Sequence, residues 1–124
     1  MKHLPISLSL VLALAAPAAF AQSFVCPDKN LNYWQAFPPG GESDISARHQ
    51  QVVLKKKCPA IDTIVQYKAG GGGAILWSSA NTLPADGVNI YGINLPHVVL
   101  QPLEGQVQYK TDDLTPVFWY HYTP

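Results

Sequence analysis

The run Phe37-Pro-Pro-Gly-Gly-Glu-Ser-Asp-Ile-Ser-Ala-Arg48 constrains this chain more than any other stretch. The apolar residues 31–37 end at two prolines and two glycines, and a segment of helical character opens at Ser43-Asp44. That order spells a strand, a tight turn and a helix N-terminus. Glycine lets the backbone turn sharply or come close to another group. The first amides of a helix lack partners within it, and the helix dipole adds partial positive charge there. Such a corner suits a carboxylate or a phosphate. Ser43 is the expected N-cap, and Asp44 a favourable charge in the first turn.

The same grammar recurs along the chain. Residues 44–56 are predicted as a helix in which Ile45, Val52 and Val53 share a packing face, interrupted by His49 and Lys56. The basic residues 55–57 suit its C-terminal end, and Cys58-Pro59 stops it. Residues 63–67 (TIVQY) form a second strand, residues 68–73 a glycine-rich second corner, and residues 74–82 a short helix that packs through Ile75, Leu76 and Ala80. Pro84-Ala-Asp-Gly87 is a turn, residues 88–93 alternate as a third strand, and Asn94-Leu-Pro-His97 makes a third corner. Residues 98–114 are mixed, and residues 117–122 read as a fourth strand. Strand, helix, strand, helix, strand predicts an α/β fold with parallel pairing through right-handed crossovers. Ligands of such sheets bind beyond the carboxyl ends of the strands, where all three corners are expected.

The N-terminus reads as an export signal. Lys2 and His3 precede an apolar core at residues 8–16, and Ala19-Phe20-Ala21 supplies the small residues of a cleavage site after Ala21. A membrane anchor is the competing reading, but the apolar core falls short of the ~20 residues that span a bilayer. The expected division is a signal peptide over 1–21 and an exported mature domain over 22–124. The formal net charge is 0 over the 124 residues, and losing Lys2 makes it −1, so no basic field exists to hold nucleic acid. Cys26 and Cys58 then meet an oxidising compartment, where a disulfide is favoured over two separate thiols. It would tie the start of the first strand to the end of the first helix.

Several chemistries lack their residues. The tetraglycine at 70–73 is followed by no Lys-Ser/Thr pair and fails the dinucleotide spacing, so neither phosphate-loop pattern applies. There is no Gly-x-Ser-x-Gly elbow. The histidines are scattered without metal-ligand spacing, and nothing orients Glu42 and Asp44 as an acid and base. No catalytic residue, metal or cofactor is expected, and the chain does not read as an enzyme. His97 draws attention by its place on the ligand-facing edge.

With these residues in view, the chain resembles the substrate-binding proteins of tripartite tricarboxylate transporters, the Bug family. Residues 36–48 are similar to that family's first loop and helix, and Tyr67-Lys-Ala-Gly-Gly-Gly-Gly73 to its glycine-rich turn. Leu83-Pro-Ala-Asp-Gly87 matches the turn before its third strand, and Asp113-Leu-Thr-Pro-Val117 the approach to its fourth. The likeness covers essentially the whole mature chain but only the N-terminal part of a two-lobed receptor. It implies an incomplete first lobe of a type II periplasmic-binding-protein (Venus flytrap) fold, a βαβαβ portion with a parallel sheet. It further implies capture of a small carboxylate and delivery to membrane transporter subunits. By that likeness Phe37, Gly40, Gly41, Glu42, Ser43 and Asp44 form the ligand loop, and Asn94 and His97 add contacts from the third corner.

The chain also departs from the family. Glu42 stands where a small or hydroxyl residue is usual, so either its side chain points away or the ligand carries a positive group. His49 and Gln50 replace leucine-like residues, and Ala69 and Ile75 replace glycines. A second hypothesis is a truncated exported α/β fragment with no ligand binding of its own. A third, a small enzyme acting on a carboxylate, lacks any nucleophile and base constellation.

Overall fold

The computed structural model describes residues 24–105 and 107–120. The expected signal peptide lies outside them. The chain builds strand β1 (Leu31–Gln35), helix α1 (Glu42–Lys57), strand β2 (Thr63–Tyr67), helix α2 (Ala74–Ser79), strand β3 (Asn89–Tyr91) and helix α3 (His97–Leu103). Short 3₁₀ turns flank α2 and a third follows at Thr111–Asp113. The three strands pair in parallel in the order β2-β1-β3, so β1 is central. Each ladder runs one bond past its strands: Lys68 N–H donates to Gln35 O (2.9 Å) and Gly92 N–H to Trp34 O (2.8 Å).

Alternation along β1 feeds two cores, as expected of a strand covered on both faces. Leu31 packs with Cys58 and Ile61, against the half-buried Leu54 and Ile90, on the α1 side. Trp34 and Tyr91, neighbours by register, join Ala36, Leu76, Trp77, Val98 and Tyr109 on the side of α2 and α3. Leu76 and Trp77 are fully buried, and burying such side chains contributes about 1.5–3 kcal/mol each. The Trp34 face also carries a row of amides across all three strands: Gln66 Nε2 donates to Asn32 Oδ1 (3.0 Å), and Asn32 Nδ2 to Asn89 Oδ1 (3.4 Å). Cys26 and Cys58 are joined as a disulfide that closes a segment of sequence separation 32 around β1 and α1.

Two expectations are corrected. Ile45, Val52 and Val53 do not pack; they are 66%, 52% and 44% exposed. The buried face of α1 is instead Asp44 and Ala47, continued by the half-buried Gln51 and Leu54. A polar side chain is held there by a hydrogen bond: Gln51 Nε2 donates to Thr63 O. The apolar residues were therefore a misleading guide to which face is inward. Secondly, residues 117–120 form no strand, and Val117, Phe118 and Trp119 are exposed, while His121 and Tyr122 lie outside the described residues. Tyr120 instead hydrogen-bonds His49 on α1, with the two rings edge to face.

Candidate functional site: the cleft at the β1 and β3 carboxyl ends

From the central strand, one connection leaves towards β2 and the next element to pair, β3, arrives on the other side. In a parallel sheet this reversal parts the loops at the carboxyl ends and opens a crevice between them. A cleft of about 460 Å³ sits there, lined by Phe37, Pro38, Pro39 and Gly41 of the β1–α1 loop, Glu42 and Ser43 at the start of α1, Asn94 of the β3–α3 loop and His97 at the start of α3. Two of the three corners thus converge as the sequence reading expected. The second does not line the cleft: Gln101 Nε2 donates to Gly71 O (2.9 Å) and Gly72 O (3.1 Å), fastening that corner to α3.

The wall packs on the core through Phe37. The Phe37 ring stands edge-on to Trp77 (centroids 6.4 Å) and to His97 (6.2 Å). Trp77 is fixed in turn by its indole N–H, which donates to Gly92 O at 3.0 Å. It lies so close to the second corner that a Cβ on Gly73 would stand 2.4 Å from the ring, and Gly73 has φ +102. A side-chain hydrogen bond joins the two walls: Asn94 Nδ2 donates to Ser43 Oγ at 3.1 Å.

Ser43 is therefore not the N-cap. Gly41 is, with extended backbone (φ −84, ψ 177) and no side-chain cap, and the first helical bond runs from Ile45 N–H to Gly41 O. The helix begins two residues earlier than expected because two glycines can supply that geometry without a side chain. A Cβ on Gly41 would meet only Pro38 O, at 3.8 Å. The missing side chain there keeps the cleft open rather than relieving the backbone. The first-turn amides, which precede the first helical bond, remain oriented along the axis at this end.

Gly40 and Asp44 fall outside the cleft lining. The Asp44 carboxylate is turned inward, with Oδ2 accepting from Gly40 N–H (2.8 Å) and Oδ1 from the Tyr67 hydroxyl (2.6 Å) and Arg48 Nε (2.9 Å). The Tyr67 hydroxyl, the Gly40 amide and the Arg48 guanidinium hold its pKa below the ordinary carboxylate value. The same bond pushes the Tyr67 phenol up, because ionising it would forfeit its donation to Asp44. The negative charge beside the loop is thus answered before it reaches the cleft. Sequence reasoning missed Arg48 and Tyr67 as its partners. The i,i+4 spacing of Asp44 and Arg48 was a readable signal; the arrival of Tyr67 from the end of β2 was not.

The cleft's chemistry is that of a small binding site: helix-end amides, a hydroxyl, a carboxamide, an imidazole and a carboxylate around an aromatic wall. Among the described residues no group of three or more His, Cys, Asp or Glu could hold a metal ion. The architecture is thus a parallel α/β sheet with a loop-built cleft at its switch point.

No protein-family model matches the chain, and no curated protein matches it. A solved structure of a periplasmic transporter does, with a TM-score of 0.62 and 26% sequence identity over 70% of this chain. The chain spans 29% of the length of that structure. The α/β fold with its parallel βαβαβ sheet is therefore both observed and shared with a periplasmic transport protein.

Proposed function

We propose that this chain is the N-terminal part of the first lobe of a periplasmic solute-binding protein of the tripartite tricarboxylate (Bug) type. Residues 1–21 serve as its signal peptide and residues 22–124 as its lobe portion. It captures a small carboxylate for delivery to membrane transporter subunits. The observation that carries this reading is the convergence of the α1 N-terminus, Ser43, Asn94 and His97 on one cleft beyond the carboxyl ends of β1 and β3. Phe37, Gly41, Glu42 and Ser43 would contact ligand from the loop. Gly40 and Asp44 shape that loop from behind it. Glu42 lines the same cleft, which favours a carboxylate that also bears a cationic group, its carboxylate at the helix amides and its cation beside Glu42.

The likeness to the periplasmic transporter, at 26% identity, supports the transport role. Glu42 in the cleft would oppose a simple carboxylate, which favours the second reading, an exported α/β fragment with no ligand binding of its own. Titration calorimetry of the full chain against succinate, citrate and aspartate separates them. Saturable heat with the ligand recovered unchanged by NMR is expected, with aspartate binding more tightly than succinate. Flat titrations with all three would sink the receptor reading in favour of the second. Conversion of a ligand would make the chain an enzyme.

A further inference from the structure

The β1–α1 loop has few backbone amides of its own with which to hold a shape. Pro38 and Pro39 carry no amide hydrogen, so Gly40 offers the first N–H after Phe37. Gly40 sits at φ +87, and Gly41 beyond it is extended, a path that many backbone conformations compete with. That first amide is the one that Asp44 Oδ2 accepts, at 2.8 Å. Asp44 is 5% exposed although it lies in the first turn of a surface helix, so its side chain is held in one place.

What holds it is a closed triangle. The Tyr67 hydroxyl donates to Asp44 Oδ1 (2.6 Å) and accepts from an Arg48 guanidinium N–H (2.9 Å), while Arg48 Nε donates to the same Asp44 oxygen (2.9 Å). Each of the three side chains thus fixes the other two. Tyr67 is the last residue of β2, paired in register with Gln35, the last of β1. The triangle therefore refers the loop to the ends of two strands and to the second turn of α1. Bonds to an ionised carboxylate are short and about twice as strong as neutral ones, which suits them to holding a proline–glycine loop.

We propose that Tyr67 and Arg48 are positioning residues for the cleft: through Asp44 and the Gly40 amide they set the course of the loop whose Gly41, Glu42 and Ser43 form one wall. They touch no ligand themselves. This deepens the binding reading, and rests on it only for its affinity readout.

The test uses the full chain with Tyr67→Phe, Asp44→Asn and a control, Leu54→Ala, which lowers stability from the other core. Amide NMR reads the shifts and exchange of Gly40, Gly41 and Ser43; calorimetry with aspartate reads affinity. Tyr67→Phe keeps the ring, so it is the variant that decides if Asp44→Asn does not fold. Both clamp variants are expected to move these three resonances, to speed Gly40 exchange by about tenfold and to weaken aspartate binding by about tenfold. Leu54→Ala should melt earlier with the Gly40 exchange and affinity of wild type. Tyr67→Phe with wild-type Gly40 shift and exchange would overturn the proposal. So would loop changes of equal size in Leu54→Ala. If the wild-type chain does not bind aspartate, the ligand reading falters, and the Gly40 amide still decides the clamp.

Discussion

Replacing Cys26 and Cys58 together by alanine should remove a large share of this domain's stability. The bridge closes a segment of sequence separation 32 that contains all of β1 and α1. A cross-link of that span removes about 12 cal/mol/K from the unfolded chain, or about 4 kcal/mol at room temperature. Typical domains are stable by only about 5–15 kcal/mol, so the loss is a major fraction. In a domain of this size each kcal/mol moves the melting temperature by about 4–8 °C, which puts the double variant about 15–30 °C below oxidised wild type. The assay is thermal and guanidinium unfolding followed by circular dichroism, on oxidised wild type, reduced wild type and the double variant. The last two should agree, since both lack the loop closure. The single variants add a second check. Cys58 is fully buried and Cys26 exposed, so Cys58→Ser strands a hydroxyl in the core and should cost about 1–3 kcal/mol more than Cys26→Ser. Reduced and double-variant proteins melting within about 1 kcal/mol of oxidised wild type would refute the loop-closure argument.

Three further outcomes follow from the site. Because the folded pKa of Asp44 is depressed, its stabilising effect should be complete above the unfolded-state value of about 3.9 and fall away as pH drops through the folded one. Acid titration of stability should show that loss in wild type and a shallower slope in Asp44→Asn. Gly73→Ala should destabilise by about 3 kcal/mol or more in denaturant melts, since the new Cβ would meet Trp77 at 2.4 Å on a backbone with φ +102. Ser43→Ala should cost no more than Asn94→Ala in denaturant melts, because its hydroxyl accepts the Asn94 amide while Gly41 holds the cap position.

The parts of this fold written in local residue chemistry were readable from the sequence. β2 spans Thr63–Tyr67, matching the β-branched run, and the corners at Pro38–Gly41 and at Asn94 fall where proline, glycine and asparagine placed them. Six of the eight expected ligand residues line one cleft. What failed depended on partners far along the chain. The inward face of α1 was misread because the buried Asp44 and half-buried Gln51 are held inward by bonds to Tyr67 and Thr63, which no helical periodicity announces. The expected strand at 117–122 has the right side chains, yet Tyr120 is engaged by His49, and a ladder needs a partner strand as well as propensity. Helix capping went wrong by two residues for a simpler reason. Serine is the stronger cap in general, but here its hydroxyl already receives the Asn94 amide.

The centrality of β1 makes the cleft a gauge of strand register. Its two walls come from stretches of chain 57 residues apart, matched through Asn32 and Asn89. Slipping β3 by a single residue would exchange the faces of Ile90 and Tyr91. Ile90 would then face the aromatic core and Tyr91 the α1 side, while Asn94 would be carried about 3.3 Å along the strand direction, out of reach of Ser43. A misaligned sheet would be compact and hydrogen-bonded yet have no site. A ligand that bridges the walls would therefore select among registers as well as fill a hole, proofreading the alignment of the strands beneath it.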